Sequence, residues 1–219
     1  MIDRLPRVAA IAGIVGALAL TLSAQTGRPR SREFPPEQLG FLAPPDRDEW
    51  QQPDRIMDAL GIYDGNRVAD VGAGGGWFTT RLARRVGPNG RVFAEDVNTE
   101  MLDAIKSAAD REGLRNIEPT LGKETDPRLP GGLNAVLMVG VYLYLKHPVP
   151  ILRGVARSLG PNGRLGIVEY KKDGAGGPGP ELDERINVDD IKRDAIAAGL
   201  KLRSHETFLR YQYLLVFGK

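Results

Sequence analysis

The sequence predicts an α/β domain, doubly wound around a mostly parallel sheet of about seven strands with helices on both faces. Three observations carry this. Short apolar runs alternate with stretches whose apolar residues recur every three or four positions, the signature of strand and helix in turn. A glycine-rich turn, Gly72 to Gly76, separates the first such strand from the helix after it. The last two strand-like runs are divided only by Leu209-Arg210, whereas a parallel crossover takes a dozen or more residues. They therefore close the sheet as an antiparallel C-terminal hairpin.

The elements follow in order. Pro53 suits the first turn of a helix carrying Ile56, Met57 and Leu60 and ending at Gly61. Arg67 to Val71 is a short apolar strand, and Phe78, Leu82 and Val86 mark the helix beyond the glycines. Gly87-Pro88-Asn89-Gly90 turns into a strand, Arg91 to Glu95. Met101, Leu102, Ile105, Ala108 and Ala109 make the next helix, which Gly113 ends. Asn116 to Leu121 is a weak strand; Pro119 inside it places it at a sheet edge, because proline donates no ladder hydrogen bond. Leu133 to Val139 is apolar enough for burial on both faces. A helix with Ile151, Leu152, Val155, Ala156 and Leu159 follows, then a second Gly-Pro-Asn-Gly at 160–163 and the strand Arg164 to Tyr170. A helix with Val188, Ile191 and Ala195 precedes the hairpin strands, Lys201 to Phe208 and Tyr211 to Phe217.

The chain has 219 residues, of which 42% are apolar, enough for one domain with a real core. A net charge of +2 with interspersed signs gives no case for a nucleic-acid partner. The absence of cysteine excludes disulfides, a thiol nucleophile and a thiolate metal site. No His/Asp/Glu cluster has metal-ligand spacing, so no metal is expected.

Residues 1–24 read as a signal peptide or a membrane anchor. Arg4 and Arg7 precede an uncharged run, Val8 to Ser23, with small residues at Ser23-Ala24. Leu22 fits a cleavage site poorly, and the run lies at the lower length limit for a membrane span, so both readings stay open. Residues 25–47 form a Pro- and Arg-rich linker and 48–219 the domain. Membrane contact is expected only through the N-terminal segment. The short run favours export, with a mature chain beginning near Gln25.

In a doubly wound sheet, ligands sit beyond the carboxyl ends of the strands where strand order reverses. The Gly72–Gly76 turn lies there, and glycine permits positive φ and close approach of a ligand to the backbone. A dinucleotide site wants G-x-G-x-x-G, but the third position holds Trp77 counting from Gly72 and Thr79 counting from Gly74. Asp70, two residues before Gly72, would repel a pyrophosphate and suits a cationic ligand instead.

Val68-Ala69-Asp70-Val71-Gly72-Ala73-Gly74-Gly75-Gly76 matches hydrophobic-x-D-x-G-x-G-x-G throughout. In this motif the chain resembles the class I S-adenosylmethionine-dependent methyltransferases, and the resemblance runs from about Trp50 to Lys219. It implies S-adenosyl-L-methionine as cofactor, held at Asp70, Gly72, Ala73, Gly74 and Gly76. It places Asp96 and Val97 on the ribose, Asp96 rather than Glu95 because of the Val97-Asn98 and Met101-Leu102 that follow. The segment "TLGKETDPRLPGG" implies an adenine-lining loop with Gly122, Lys123 and Glu124. The departure lies after the fourth strand: Gly140 stands where relatives often carry an acidic residue, and Leu143 and Tyr144 where histidine is frequent.

Methyl transfer from a sulfonium is an in-line displacement that alignment alone can promote, and a base is needed only for a protonated nucleophile. Tyr142, Tyr144, His147, Glu169 and Tyr170 are candidates near the strand ends, and no catalytic residue is singled out among them. The tyrosines read also as pocket or core wall, His147 as a helix-entry residue, Trp77 as packing for the helix after the glycines, and Glu169 as a solvent-facing strand end. His205, inside a hairpin strand, is given no role. Lys171 to Arg185 is a Gly-rich loop over the acceptor side, either a lid or a plain connection. With no added substrate domain, the expected acceptor is a small molecule or lipid headgroup. A non-catalytic exported or anchored binding protein of the same fold is the alternative. A nicotinamide oxidoreductase is disfavoured by Asp70 and the missing third glycine.

Overall fold

The computed structural model describes residues 44–173 and 177–219. The N-terminal segment read as signal or anchor lies outside them, as do residues 174–176 of the loop after the fifth strand. Among the described residues no helix is long and apolar enough to cross a membrane.

The described residues form a seven-stranded sheet in the order β3-β2-β1-β4-β5-β7-β6. Two short helices, α1 (Arg47–Gln51) and α2 (Pro53–Ala59), lead into β1 (Arg67–Val71) and α3 (Trp77–Val86). Then come β2 (Arg91–Asp96), α4 (Thr99–Glu112), β3 (Ile117–Leu121) and β4 (Leu133–Val139). A 3-10 turn at Tyr142–Tyr144 precedes α5 (Pro148–Ser158) and β5 (Leu159–Tyr170). The chain ends with α6 (Val188–Ala197), β6 (Lys201–Glu206) and β7 (Gln212–Gly218). β1 pairs in parallel with both β2 and β4, while β7 runs antiparallel between β5 and β6. The predicted fold class is the observed one, and β3 with Pro119 is an edge strand.

Alternation along the strands feeds two cores. Val71, Val136, Met138, Ile167 and Leu215 face α5 and α6, whereas Val68, Leu137, Val168 and Leu214 face α2 and α3. The two Gly-Pro-Asn-Gly segments do not fold alike. Residues 87–90 turn α3 into β2, with the Gly90 amide donating to the Gly87 carbonyl at 3.1 Å. Residues 160–163 instead lie within β5, at an irregularity in its register with β4 between Leu133 and Ala135. An added Cβ on Gly163 would stand 2.6 Å from the Leu133 carbonyl, so the second copy packs on a neighbouring strand where the first bends away. The predicted strand start at Arg164 is thereby moved to Leu159.

The strand order reverses between β1 and β4, and the crevice beyond their carboxyl ends is where the candidate site forms. α1, which the sequence did not announce, covers one side of this crevice.

Candidate functional site

The carboxyl ends of the central strands open into a cavity of about 1430 Å³. A single small-molecule pocket spans roughly 300–1,000 Å³. The space therefore admits two small ligands side by side.

One end is built by the loop after β1. Gly72, Gly74 and Gly76 have φ of 67°, 53° and 84°, the left-handed region that favours glycine. The protein itself also fills two of these positions. A Cβ at Gly72 would stand 2.6 Å from both γ-methyls of Val141, and one at Gly76 would be 3.1 Å from Ile105. Close approach to the glycines is thus partly internal, between this loop, the segment after β4 and α4. That corrects the sequence reading, which assigned it wholly to a ligand.

Three carboxyl groups gather about this loop. Asp70 is buried, and the Thr79 hydroxyl donates to it at 2.7 Å. Burial pushes its pKa up to about 6, although the Thr79 hydrogen bond and the Arg47 charge oppose this. Asp96 accepts from the amide of Gly74 at 2.9 Å and from that of Asn98 at 3.0 Å, and burial raises its pKa. Glu95, which the sequence reading set aside, is also buried and accepts from the Gly72 amide at 3.3 Å. Burial, with Asp96 and Asp70 nearby, pushes Glu95 up to about 8. Gly122 makes room for this side chain, since a Cβ there would come 1.7 Å from the Glu95 Oε1 where it now lies. One strand position separates Glu95 from Asp96, so they point to opposite faces, Glu95 down under the loops and Asp96 to the strand tip.

The predicted residues Asp70, Gly72, Ala73, Gly74, Gly76, Asp96, Val97, Gly122, Lys123 and Glu124 all line this one cavity. Gly122 is anchored by its amide to the Asp96 carbonyl at 3.1 Å, and Lys123 by a backbone bridge to Asp126. Glu124 is exposed and ion-paired with Lys146, whose hydrogen bond lowers its pKa.

The opposite end is formed by the segment after β4, the tip of β5, the start of β7 and α1. Glu169, read either as a candidate base or as a solvent-facing strand end, does not face solvent. It is 3% exposed, accepts from the Tyr142 amide at 2.8 Å, and is pushed by burial to about 7. Its side chain follows Ile167 on the α5–α6 face, where residues 141–144 fold back over it. Tyr142 is core wall, its hydroxyl donating to Asp194 at 2.5 Å. Tyr144 and Tyr170 line the cavity, and burial raises both, Tyr170 to about 12. His147 precedes α5 as a helix-entry residue, and His205 packs edge-on to the Tyr213 ring.

Gly140 has φ 66° and only a side-chain contact with Tyr170 at 3.9 Å, so backbone conformation rather than crowding favours glycine there. Trp77 packs α3 as expected, edge-on to Phe78. It is also held between the guanidinium groups of Arg47 and Arg81, at 4.1 and 3.6 Å. In the loop after β5, Arg185 is buried and donates to the carbonyls of Pro180 and Lys171.

Residues 68–163 match the family described as methyltransferase domain. The chain is 31% identical over 153 residues to nocamycin O-methyltransferase of Saccharothrix syringae, covering 66% of this chain and 52% of that protein. It is 32% identical over 121 residues to the ubiquinone/menaquinone biosynthesis C-methyltransferase UbiE of Ectopseudomonas mendocina, covering 54% of this chain and 47% of the relative. The chain thus spans about half the length of the curated relatives it matches. The crystal structure of a SAM-dependent methyltransferase from Aquifex aeolicus superposes with a TM-score of 0.79 at 26% identity, covering 84% of this chain and 98% of the other. Sheet order, glycine turn and matched segment agree: the fold is Rossmann-like and matches that of the S-adenosylmethionine-dependent methyltransferases it resembles, and residues 68–163 are the segment similar to their methyltransferase domain.

Proposed function

We propose that this chain transfers the methyl group of S-adenosylmethionine to a small-molecule acceptor. The observation that carries the reading is the crowding of Asp70, Glu95 and Asp96 about the amides of a positive-φ glycine turn, inside a cavity wide enough for two ligands. Carboxyl groups whose pKa values are raised by burial and by one another favour a cation as partner. S-adenosylmethionine, when bound, supplies a methyl group on a sulfonium, which an acceptor lone pair takes as the carbon–sulfur bond breaks.

The chain's own residues divide the work. Asp70 offers negative charge beside the turn. The Asp96 carboxylate keeps acceptor capacity beyond its two amide partners for a pair of ribose hydroxyls. Val97 is 51% exposed at the cavity rim and offers an apolar contact to ribose or base. The Gly122–Glu124 segment supplies the adenine side chiefly through its backbone, Gly72, Ala73, Gly74 and Gly76 the loop under the methionine moiety. Trp50, Tyr144 and Tyr170 on the far wall suit an acceptor with a flat apolar body. Relatives named for O- and for C-methylation both support methyl transfer to small organic acceptors.

Calorimetric titration with S-adenosylmethionine tests the reading, and no measurable binding by the wild type would sink it. Incubation with methyl-labelled cofactor and cell extract, followed by mass spectrometry of labelled products, tests turnover. Binding without any labelled product would favour a non-catalytic binding protein instead. The Val8–Ser23 run supports a further reading, that the mature chain begins near Gln25 outside the cytoplasm. N-terminal sequencing of fractionated cells checks it; an intact Met1 in the membrane fraction, with the domain protected from external protease, would overturn it.

A further inference from the structure

We propose that Arg47, Gln51 and Gln212 form an anchoring subsite for a carboxylate carried by the methyl acceptor, a reading that rests on the methyl transfer proposed above. The three side chains form one relay. Arg47 Nε donates to Gln51 Oε1 at 2.6 Å, and Gln51 Nε2 donates to Gln212 Oε1 at 2.7 Å. Gln51 and Gln212 are 0% and 1% exposed. The relay ends in an unused donor: among the described residues, Gln212 Nε2 is the buried side-chain nitrogen or oxygen that has no hydrogen-bond partner.

Buried polar groups are overwhelmingly paired, and a buried amide N–H without a partner is destabilising until one arrives. Gln212 lines the cavity and stands beside Tyr170 across the β5–β7 pair, on the face that α1 covers. An amide N–H₂ can only donate, so its missing partner is an acceptor atom, an oxygen before all others. Arg47 lines the same wall and carries a planar cation, with its guanidinium stacked on Trp77 at 4.1 Å. A guanidinium beside an amide donor matches the two coplanar oxygens of a carboxylate. Glu95 and Glu169 lie on the other face of the sheet, while Asp70 shares this face, held by Thr79 and within electrostatic reach of Arg47.

The chain's two tryptophans, Trp50 and Trp77, both line this cavity, so intrinsic fluorescence reports on it directly. The experiment titrates benzoate and benzyl alcohol, matched in ring and size but not in charge, into the full chain saturated with S-adenosylhomocysteine. Benzoate is expected to bind at least tenfold more tightly. Gln212→Met, close in volume but without a donor, reduces that preference to threefold or less, and so does Arg47→Met, which tests the same subsite should Gln212→Met fail to fold. Equal affinity for the two probes, no binding of either, or a preference that survives both substitutions would overturn the subsite. Failure of S-adenosylhomocysteine itself to bind the wild type counts against the methyltransferase reading, which separates the two failures.

Discussion

The two ends of the cavity are built by different means. The cofactor end is assembled from neighbours in sequence or in adjacent strands: Glu95 and Asp96 hold the amides of Gly72 and Gly74, and Thr79 holds Asp70 nine residues before it. The acceptor end is assembled across the chain, with Gln51 meeting Gln212 at a separation of 161 residues and Tyr142 meeting Asp194 at 52. The difference teaches where specificity is free to vary. The glycine loop is fixed by its positive-φ backbone, by carboxyls on the next strand and by Val141 and Ile105 packed against it, while the far wall depends on which helix and strand ends pack there.

The largest expected effect comes from the position where the two ends touch. Gly72→Ala places a Cβ against both γ-methyls of Val141 at a backbone angle that alanine rarely adopts. Overpacking costs about 1–3 kcal/mol and the left-handed backbone about 1 kcal/mol more. Chemical denaturation should show that loss, and calorimetry no cofactor binding. Adding Val141→Ala removes the γ-methyl clash but not the backbone strain, so the double variant should recover part of the stability. If Gly72→Ala were as stable as wild type, the internal contact would not set the loop.

The same contrast explains what the sequence revealed. The strand β1, the glycine turn and the helix after it were readable because hydrophobic period and turn chemistry act over a few residues. The residues that the sequence assigns to the cofactor therefore come together in one cavity, with Asp96 at the tip of β2. Of the two readings of Glu169, candidate base or solvent-facing strand end, the structure removes the second, because strand alternation says which face it takes but not that residues 141–144 will fold over that face. Arg47, Trp50 and Gln51 carried no signal, since α1 has only five residues and its meaning lies in Gln212 on the last strand. The second Gly-Pro-Asn-Gly misled for the same reason: its conformation is set by the neighbouring β4.

A second effect separates two adjacent carboxyls. Asp96→Ala removes acceptors for two amides and for the cofactor's hydroxyls, at about 1.5–3 kcal/mol for each charge-assisted bond lost. Cofactor affinity should fall tenfold or more. Glu95→Gln should change it less than tenfold, because burial pushes Glu95 up to about 8 and glutamine resembles its protonated form. The reverse ranking would make Glu95 the ribose ligand.

Acid–base behaviour gives a smaller effect at each group. Asp70, Glu169 and Glu95 are raised by burial to about 6, 7 and 8, so the folded chain keeps protons that the unfolded chain has released. Their contribution to stability is complete below the ordinary carboxyl range near pH 4 and is lost as pH rises through 6 to 8. The slope is at most about 1.4 kcal/mol per pH unit for each group. Glu95→Gln should flatten the fall between pH 5 and 8 in denaturation curves. A cationic ligand that favours the charged forms should release protons, so S-adenosylmethionine affinity should increase over the same range. Affinity independent of pH would mean that these carboxyls do not change protonation on binding.

The smallest effect is expected at Glu124, although the resemblance to methyltransferases places it beside the adenine. Its carboxylate is exposed and already paired with Lys146, and exposed pairs of this kind contribute little to stability because water screens them. What shapes this corner is the neighbouring Gly122, whose missing Cβ makes room for Glu95 and whose amide holds the end of β2. The segment thus works through its backbone. Glu124→Ala should leave the melting temperature unchanged and cofactor affinity within about twofold, while Gly122→Ala displaces Glu95 from its slot and weakens binding far more. Titration of both variants with S-adenosylhomocysteine and with adenosine decides between backbone and side chain. A tenfold loss for Glu124→Ala with adenosine alone would show that its carboxylate leaves Lys146 to bind the base.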